Sequence, residues 1–277
     1  MQIGERARAA LVRSGGVAAP LAGFADAPYL AADGDVIWVG ARLPARHPRA
    51  VLTACAPPRG VVLRFRELPA RGWSPSRCGL DRAASLRAID SVAALRRVLL
   101  REQAPRGFGM LLAGRTPGFP LGLVVARVDA LAAAYQCDDP EAVIRASIPL
   151  LGCGTGLTPS GDDLTGAALF GRRLFRAKDA DWNSVAERLS REVALRSHAL
   201  SAALFDDLVR GESFAPLHEV TDALACGDHA SALAAARTLC AIGHSSGWDM
   251  LTGLVIGLTG VRFGLRSSVL SRTADSR

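Results

Sequence analysis

Lysine is almost missing: Lys178 is the only one, and the positive charge rests on arginine. Aromatic residues make up 5% of the chain, so Leu, Val and Ala must do most of the packing and few rings remain for base stacking. No apolar run reaches the roughly twenty residues that a membrane-spanning helix needs. The longest, Met250–Val261, is interrupted by Thr and Gly. Met1–Arg13 is charged and has no apolar centre, which argues against a secretory signal. The six cysteines, at 55, 78, 137, 153, 226 and 240, lie far apart without C-x-x-C or metal-ligand spacing. That pattern fits reduced thiols rather than a disulfide framework. These absences predict a soluble, intracellular, cytoplasmic protein with no membrane contact.

What is present is an ordinary globular composition, 49% hydrophobic and 21% charged, over 277 residues. The net charge of +7 is uneven: residues 1–150 hold 20 Arg against 12 acids, and the remainder is close to neutral. An arginine-rich half suits nucleic acid or a small anion. The arginines are scattered, however, with no run beyond Arg96–Arg97, so no nucleic-acid partner is expected.

Short segments rich in β-branched residues, Asp35–Leu43, Ala50–Cys55 and Val61–Leu68, predict strands. Gly109–Ala113 and Leu121–Val128 read as further strands, and Asp90–Gln103 as a helix. From Asp139-Pro140-Glu141, a helix start with N-cap, Pro and first-turn acid, the texture becomes helical. Helices are expected over 140–151, 162–177, 182–196, 199–210, 216–226, 229–241 and 248–264. The fold class is α+β: a β-rich part over 1–138 and a mainly helical part over 139–277, packed as one unit.

The most unusual stretch is the turn from Gly152 to Asp163. Gly152, Gly154 and Gly156 leave a backbone able to adopt positive φ and to aim successive amides at one spot. Thr158, Ser160 and Gly161 then open a helix, whose N-terminus favours a phosphate or carboxylate. Asp162 and Asp163 in the first turn would repel a bare anion, which predicts a divalent cation, Mg²⁺, beside it. A Walker A loop would need Lys where Asp162 stands, and Leu157 breaks a dinucleotide fingerprint. A plain capping box, Ser160-x-x-Asp163, accounts for the Ser and Asp but not for three glycines in five residues.

A second turn, Gly243–Asp249, repeats S-G-x-D: Ser160-Gly161-Asp162-Asp163 aligns with Ser246-Gly247-Trp248-Asp249. Each copy opens a helix of Leu, Thr, Gly and Ala, and small residues allow close approach. The two helices are therefore expected side by side, bringing Asp162, Asp163 and Asp249 to one metal-binding site. His244, Ser245 and Ser246, with Asp163, are the candidate catalytic groups. Gly152, Gly154, Gly156, Thr158, Ser160, Gly161 and Gly247 are the candidate ligand-binding positions. Gly243–Gly247 also satisfies G-x-S-x-G, but no His follows His244, so a hydrolase elbow is rejected. His198 is read as a surface helix residue, His47 as a loop residue able to lend charge, and Trp248 as an anchor beside the turn.

In Gly154–Asp163 (GTGLTPSGDD), Ser197–Gly211 and Gly243–Leu258, with looser likeness at Arg46–Val51, the sequence resembles a bacterial family catalogued as a domain of unknown function. One type of member is the AllH-type subunit of the oxamate carbamoyltransferase of anaerobic allantoin degradation. The resemblance implies a subunit of a carbamoyl or related acyl transferase in nitrogen and purine catabolism, moving a carbamoyl group between oxamate and phosphate. It implies other protein subunits as partners, one of them acyl-CoA-synthetase-like, and a small anionic substrate such as carbamoyl phosphate or an oxamate-like acid. Arginines of the first half are expected to clamp the carboxylate. Mg²⁺ is the cofactor expected, and no organic cofactor is. The alternative is a non-catalytic structural or ligand-sensing subunit.

Overall fold

The computed structural model describes residues 1–21, 29–41, 45–75, 81–176 and 179–260. The end of the Asp35–Leu43 strand, Cys78, and the helix residues expected at 177 and beyond 260 lie outside these. The described part has a β-rich N-terminal region followed by a mainly helical remainder, as expected from the sequence.

Six short strands form one sheet: β1 (Gln2–Ile3), β2 (Val17–Pro20), β3 (Tyr29–Ala32), β4 (Asp35–Gly40), β5 (Ala50–Leu52) and β6 (Leu63–Arg64). The order is β1-β5-β4-β3-β2-β6. All neighbours are antiparallel except β4 and β5, which run parallel with Trp38 opposite Ala50. Helix α1 (Glu5–Arg13) buries Ala7, Ala10 and Leu11 against β3 and β4, and these residues form a core with Ile3, Ile37, Val39 and Val51.

The helices are α2 (Arg82–Glu102), α3 (Gly109–Leu112), α4 (Val125–Gln136), α5 (Pro140–Ser147), α6 (Ser160–Arg176), α7 (Ala180–Arg196), α8 (Ala199–Val209), α9 (Ala215–Cys226), α10 (His229–Cys240) and α11 (Ser246–Thr259). Several starts follow from capping. Asp81, Asp139, Asp179 and Asp228 each accept an amide in the first turn of the helix they precede. Two expected strands are helical instead: Gly109–Ala113 becomes α3, and Leu121–Val128 is a 3-10 turn running into α4. A short apolar run carries no period that separates strand from helix, and here the alanine-rich continuation to Gln136 decides for helix.

α6 and α11 form the centre of the helical part. Gly253 and Gly257, one turn apart on α11, sit so close to α6 that a Cβ on either would overlap the carbonyl oxygen of Leu164 or Ala168. Around this pair, one apolar cluster joins α2, α9, α10 and α11, and another joins α4, α5, α7 and α8.

The sheet is tied to the helices by buried charge. Asp207 on α8, fully buried, accepts from Arg49 Nε and from Arg49 Nη2 at 2.9 Å, and pairs with Arg6 at 2.8 Å. Arg49 also reaches Asp35 on β4 at 3.1 Å. His47 sits in the loop before β5, as expected, but is not placed to lend charge. It is buried against Phe214, with ring centroids 4.5 Å apart, and burial holds its pKa well below the usual value.

Candidate functional site

The two turns meet. Thr158 Oγ1 lies 3.0 Å from Ser246 Oγ, and Ser160 Oγ lies 3.3 Å from Ser245 Oγ. The close α6–α11 contact makes this possible, since it sets both helix starts at one end of the pair. Each start is also pressed onto the element before it. A Cβ at Gly161 would overlap Leu150 O, and one at Gly247 would overlap Leu239 O, so glycine is needed at both matched positions.

In front of the turns opens a cavity of about 650 Å³. Gly154, Gly156, Thr158, Ser160, Asp163, His244, Ser245 and Ser246 line it, eight of the expected site residues. Gly152, Gly161, Gly247, Asp162 and Asp249 do not. Three of these explain themselves. The Gly161 amide donates to Cys153 O at 2.8 Å, the Gly247 amide to Ile242 O at 3.1 Å, and the Gly152 amide to Asp162 Oδ1 at 2.8 Å. They hold the turns in shape and have no amide left for a ligand.

Among the described residues, no backbone carbonyl accepts from the amides of Gly154, Thr155, Gly156 or Leu157, nor from those of His244 and Ser245. Gly154 has φ of +127°, which only glycine adopts without strain, and it turns this loop into the cavity wall.

The three acids divide. Asp162, 2% exposed, accepts from the Gly152 amide and from the hydroxyls of Ser197 and Ser201, the latter at 2.7 Å, so it anchors α8 and the preceding segment to the turn. Asp163 and Asp249, 6% and 0% exposed, each keep one carboxylate oxygen without a hydrogen-bond partner among the described residues. Burial pushes Asp163 well above the carboxylate range, and the nearby charge of Asp249 adds to this against the hydroxyls of Ser246 and Thr158. Burial raises Asp249 to about 7, against the Phe108 amide, which donates to its Oδ1 at 2.6 Å, and the hydroxyls of Ser160 and Ser245. Two such neighbours in low dielectric favour sharing a proton or a cation over double ionisation. The three-acid metal site does not assemble: among the described residues, no group of three His, Cys, Asp or Glu is placed to hold a metal.

Nor does an arginine clamp form among the described residues. No arginine or lysine lines the cavity among the described residues. Arg6 and Arg49 are spent on Asp207, while Arg106 contacts His244 O at 3.5 Å. His198 stands exposed at the position just before α8, and Trp248 is buried against Gly109, an anchor as expected.

The sequence reading missed the opposite wall. Tyr29 of β3, Trp38 of β4 and Phe214 face the turns, with Met110, Phe119 and Leu121 beside them. Tyr29 comes near enough to Asp163 that its phenol is held above its usual pKa, first by burial and then by that charge. The signal was the Trp38–Tyr29 pairing across a hairpin, visible only once the register Tyr29↔Trp38 is known.

Fold and site together define an α+β protein whose helical half brings two matched glycine turns to one cavity. Residues 150–258, which hold both turns, match the family described as oxamate carbamoyltransferase subunit AllH, and over that stretch the chain resembles it. No curated protein and no solved structure matches the chain.

Proposed function

We propose that this chain is a subunit of an oxamate-carbamoyltransferase-type complex in nitrogen catabolism, and that the cavity between its turns holds the small carbamoyl-bearing anion. The observation that supports this best is that the family-matched stretch supplies both turns to one cavity. The amides of Thr155–Leu157, His244 and Ser245 are the donors for a carboxylate, a phosphate, or the oxygen that gains charge when a carbamoyl carbon is attacked. Asp163 accepts from the carbamoyl NH₂ when ionised and donates to an anion when protonated. His244, exposed at the mouth, carries protons. Mg²⁺ enters this proposal only with Asp163 and Asp249 as its ligands, because Asp162 is engaged by the Gly152 amide and two serine hydroxyls. Other subunits supply what this cavity lacks, an arginine or lysine among the described wall residues. The same lack favours a second reading, a ligand-sensing subunit without turnover.

Calorimetry with oxamate and with carbamoyl phosphate, each with and without Mg²⁺, tests the reading. Binding that weakens at least tenfold in Asp163→Asn supports it, and silence from both ligands overturns it. Loss of transfer in the assembled complex with binding retained would separate catalysis from sensing.

A further inference from the structure

The cavity is too large and too apolar for the anion alone. Its volume of about 650 Å³ lies in the range of roughly 300–1,000 Å³ that holds drug-sized ligands. Oxamate would occupy a small corner of it. The space left over is bounded by rings. Trp38 stands 5.8 Å from Tyr29 and 5.9 Å from Phe214, the latter edge to face, so the three rings pack as one continuous wall. Phe119 lines the same cavity with 88% of its surface exposed.

The polar end limits the charge of the occupant. With Asp163 in the wall, Asp249 behind it, and no arginine or lysine among the described lining residues, a polyphosphate chain would go uncompensated. A single oxyanion suits the amides of the turns that no backbone carbonyl among the described residues accepts from.

We propose that the cavity takes a two-ended monoanion: a carboxylate-bearing head at the glycine turns and a flat apolar group, such as an aromatic ring, between Trp38, Phe214 and Phe119. The head rests on the function proposed above, whereas the tail is independent of it.

Oxamate and oxanilate, its N-phenyl derivative, share a head and differ by one ring. Calorimetry on the full chain is expected to show oxanilate binding at least tenfold more tightly. Trp38→Ala should erase that gain and leave oxamate within twofold. Phe119→Ala, altering an exposed side chain, should cut oxanilate binding at least threefold and keeps the test open should Trp38→Ala unfold. Oxamate binding with no advantage for oxanilate overturns the apolar end and leaves the function standing. Trp38-dependent binding of oxanilate and, equally tightly, of neutral acetanilide, without oxamate binding, overturns the head and keeps the tail. Silence from all three removes both.

Discussion

Ser246 at the start of α11 stands 3.0 Å from Thr158 at the approach to α6, hydroxyl to hydroxyl, and its neighbour Ser245 meets Ser160 in the same way. The exchange is reciprocal. Ser246 stands by Asp163 of the other helix, and Ser160 stands by Asp249. Since Ser160 and Ser246 are matched positions, as are Asp163 and Asp249, each helix start completes the other. A repeated tetrapeptide thus becomes one site only when the two helices touch.

That contact is the first thing to test. Gly253→Ala and Gly257→Ala each place a methyl against an α6 carbonyl, backbone that cannot swing aside. Each should lower unfolding free energy by about 1–3 kcal/mol, the usual cost of overpacking. Urea titration measures it. Gly171→Ala, whose Cβ would lie 3.1 Å from Leu254 O, should cost less than either. Equal stability of all three variants and wild type would mean that α6 and α11 are not packed this closely.

The adjacent acids should behave oppositely. Asp162→Ala leaves the Gly152 amide and the Ser197 and Ser201 hydroxyls without their acceptor. Bonds to a charged group contribute about 1.5–3 kcal/mol each, so a loss of at least ~3 kcal/mol is expected. Asp163→Asn removes a carboxylate that burial already disfavours, and its stability should hold within about 1 kcal/mol or rise. Thermal melts of the two variants side by side decide. A collapse of Asp163→Asn with Asp162→Ala unaffected would reverse the assignment.

How much of this was legible beforehand follows the range of the interactions. Helix starts at Asp139 and Asp228 depend on a side chain three residues from the amide it caps, and local sequence showed Asp139-Pro140 at once. The pairing of the turns was also readable, because S-G-x-D occurs twice and both copies precede small residues. What escaped was set by distant partners. Asp207 looks like any helix aspartate until Arg49, 158 residues away, is seen against it. Tyr29 and Trp38 look like core residues until their hairpin register is known. Asp162 looked like Asp163's twin, and only the position of Ser201 on α8 shows that it faces inward. β1 to β3 went unread because two- to four-residue strands carry no measurable period, and the nine-residue α1 was missed as well.

Breaking the Arg49–Asp207 pair should undock the sheet. Removing one partner of a buried pair typically costs about 3–5 kcal/mol, because the other charge stays buried and uncompensated. Arg49→Met should reach that range even though Arg6 still holds Asp207 at 2.8 Å. The double variant Arg49→Met/Asp207→Leu should recover part of the loss. A double-mutant cycle by chemical denaturation measures the coupling, and strict additivity would show that the pair does not act as a unit.

The acid pair gives a pH signature with a definite sign. Burial raises Asp249 to about 7 in the folded protein, against about 3.9 in an unfolded chain. Between those values the folded state holds a proton that the unfolded state releases. The favourable protonated state is therefore present at low pH and its stability is lost as pH rises through about 4 to about 7. His47 and His218, the latter lowered to about 4 by burial, act the other way: acidification below about 6.5 charges them first in the unfolded chain. Wild type alone would show the sum, so the difference from Asp249→Asn is the quantity to read. Asn retains an acceptor for the Phe108 amide and offers Asp163 a donor in place of a like charge. The variant should match wild type near pH 4, gain on it through pH 7 by on the order of a few kcal/mol, and stay ahead at pH 8. At pH 8, millimolar Mg²⁺ should narrow that lead by stabilising wild type alone if the ionised pair holds the ion. A lead that is the same at pH 4 and pH 8 would show that Asp249 does not change its protonation between the folded and unfolded states across this range.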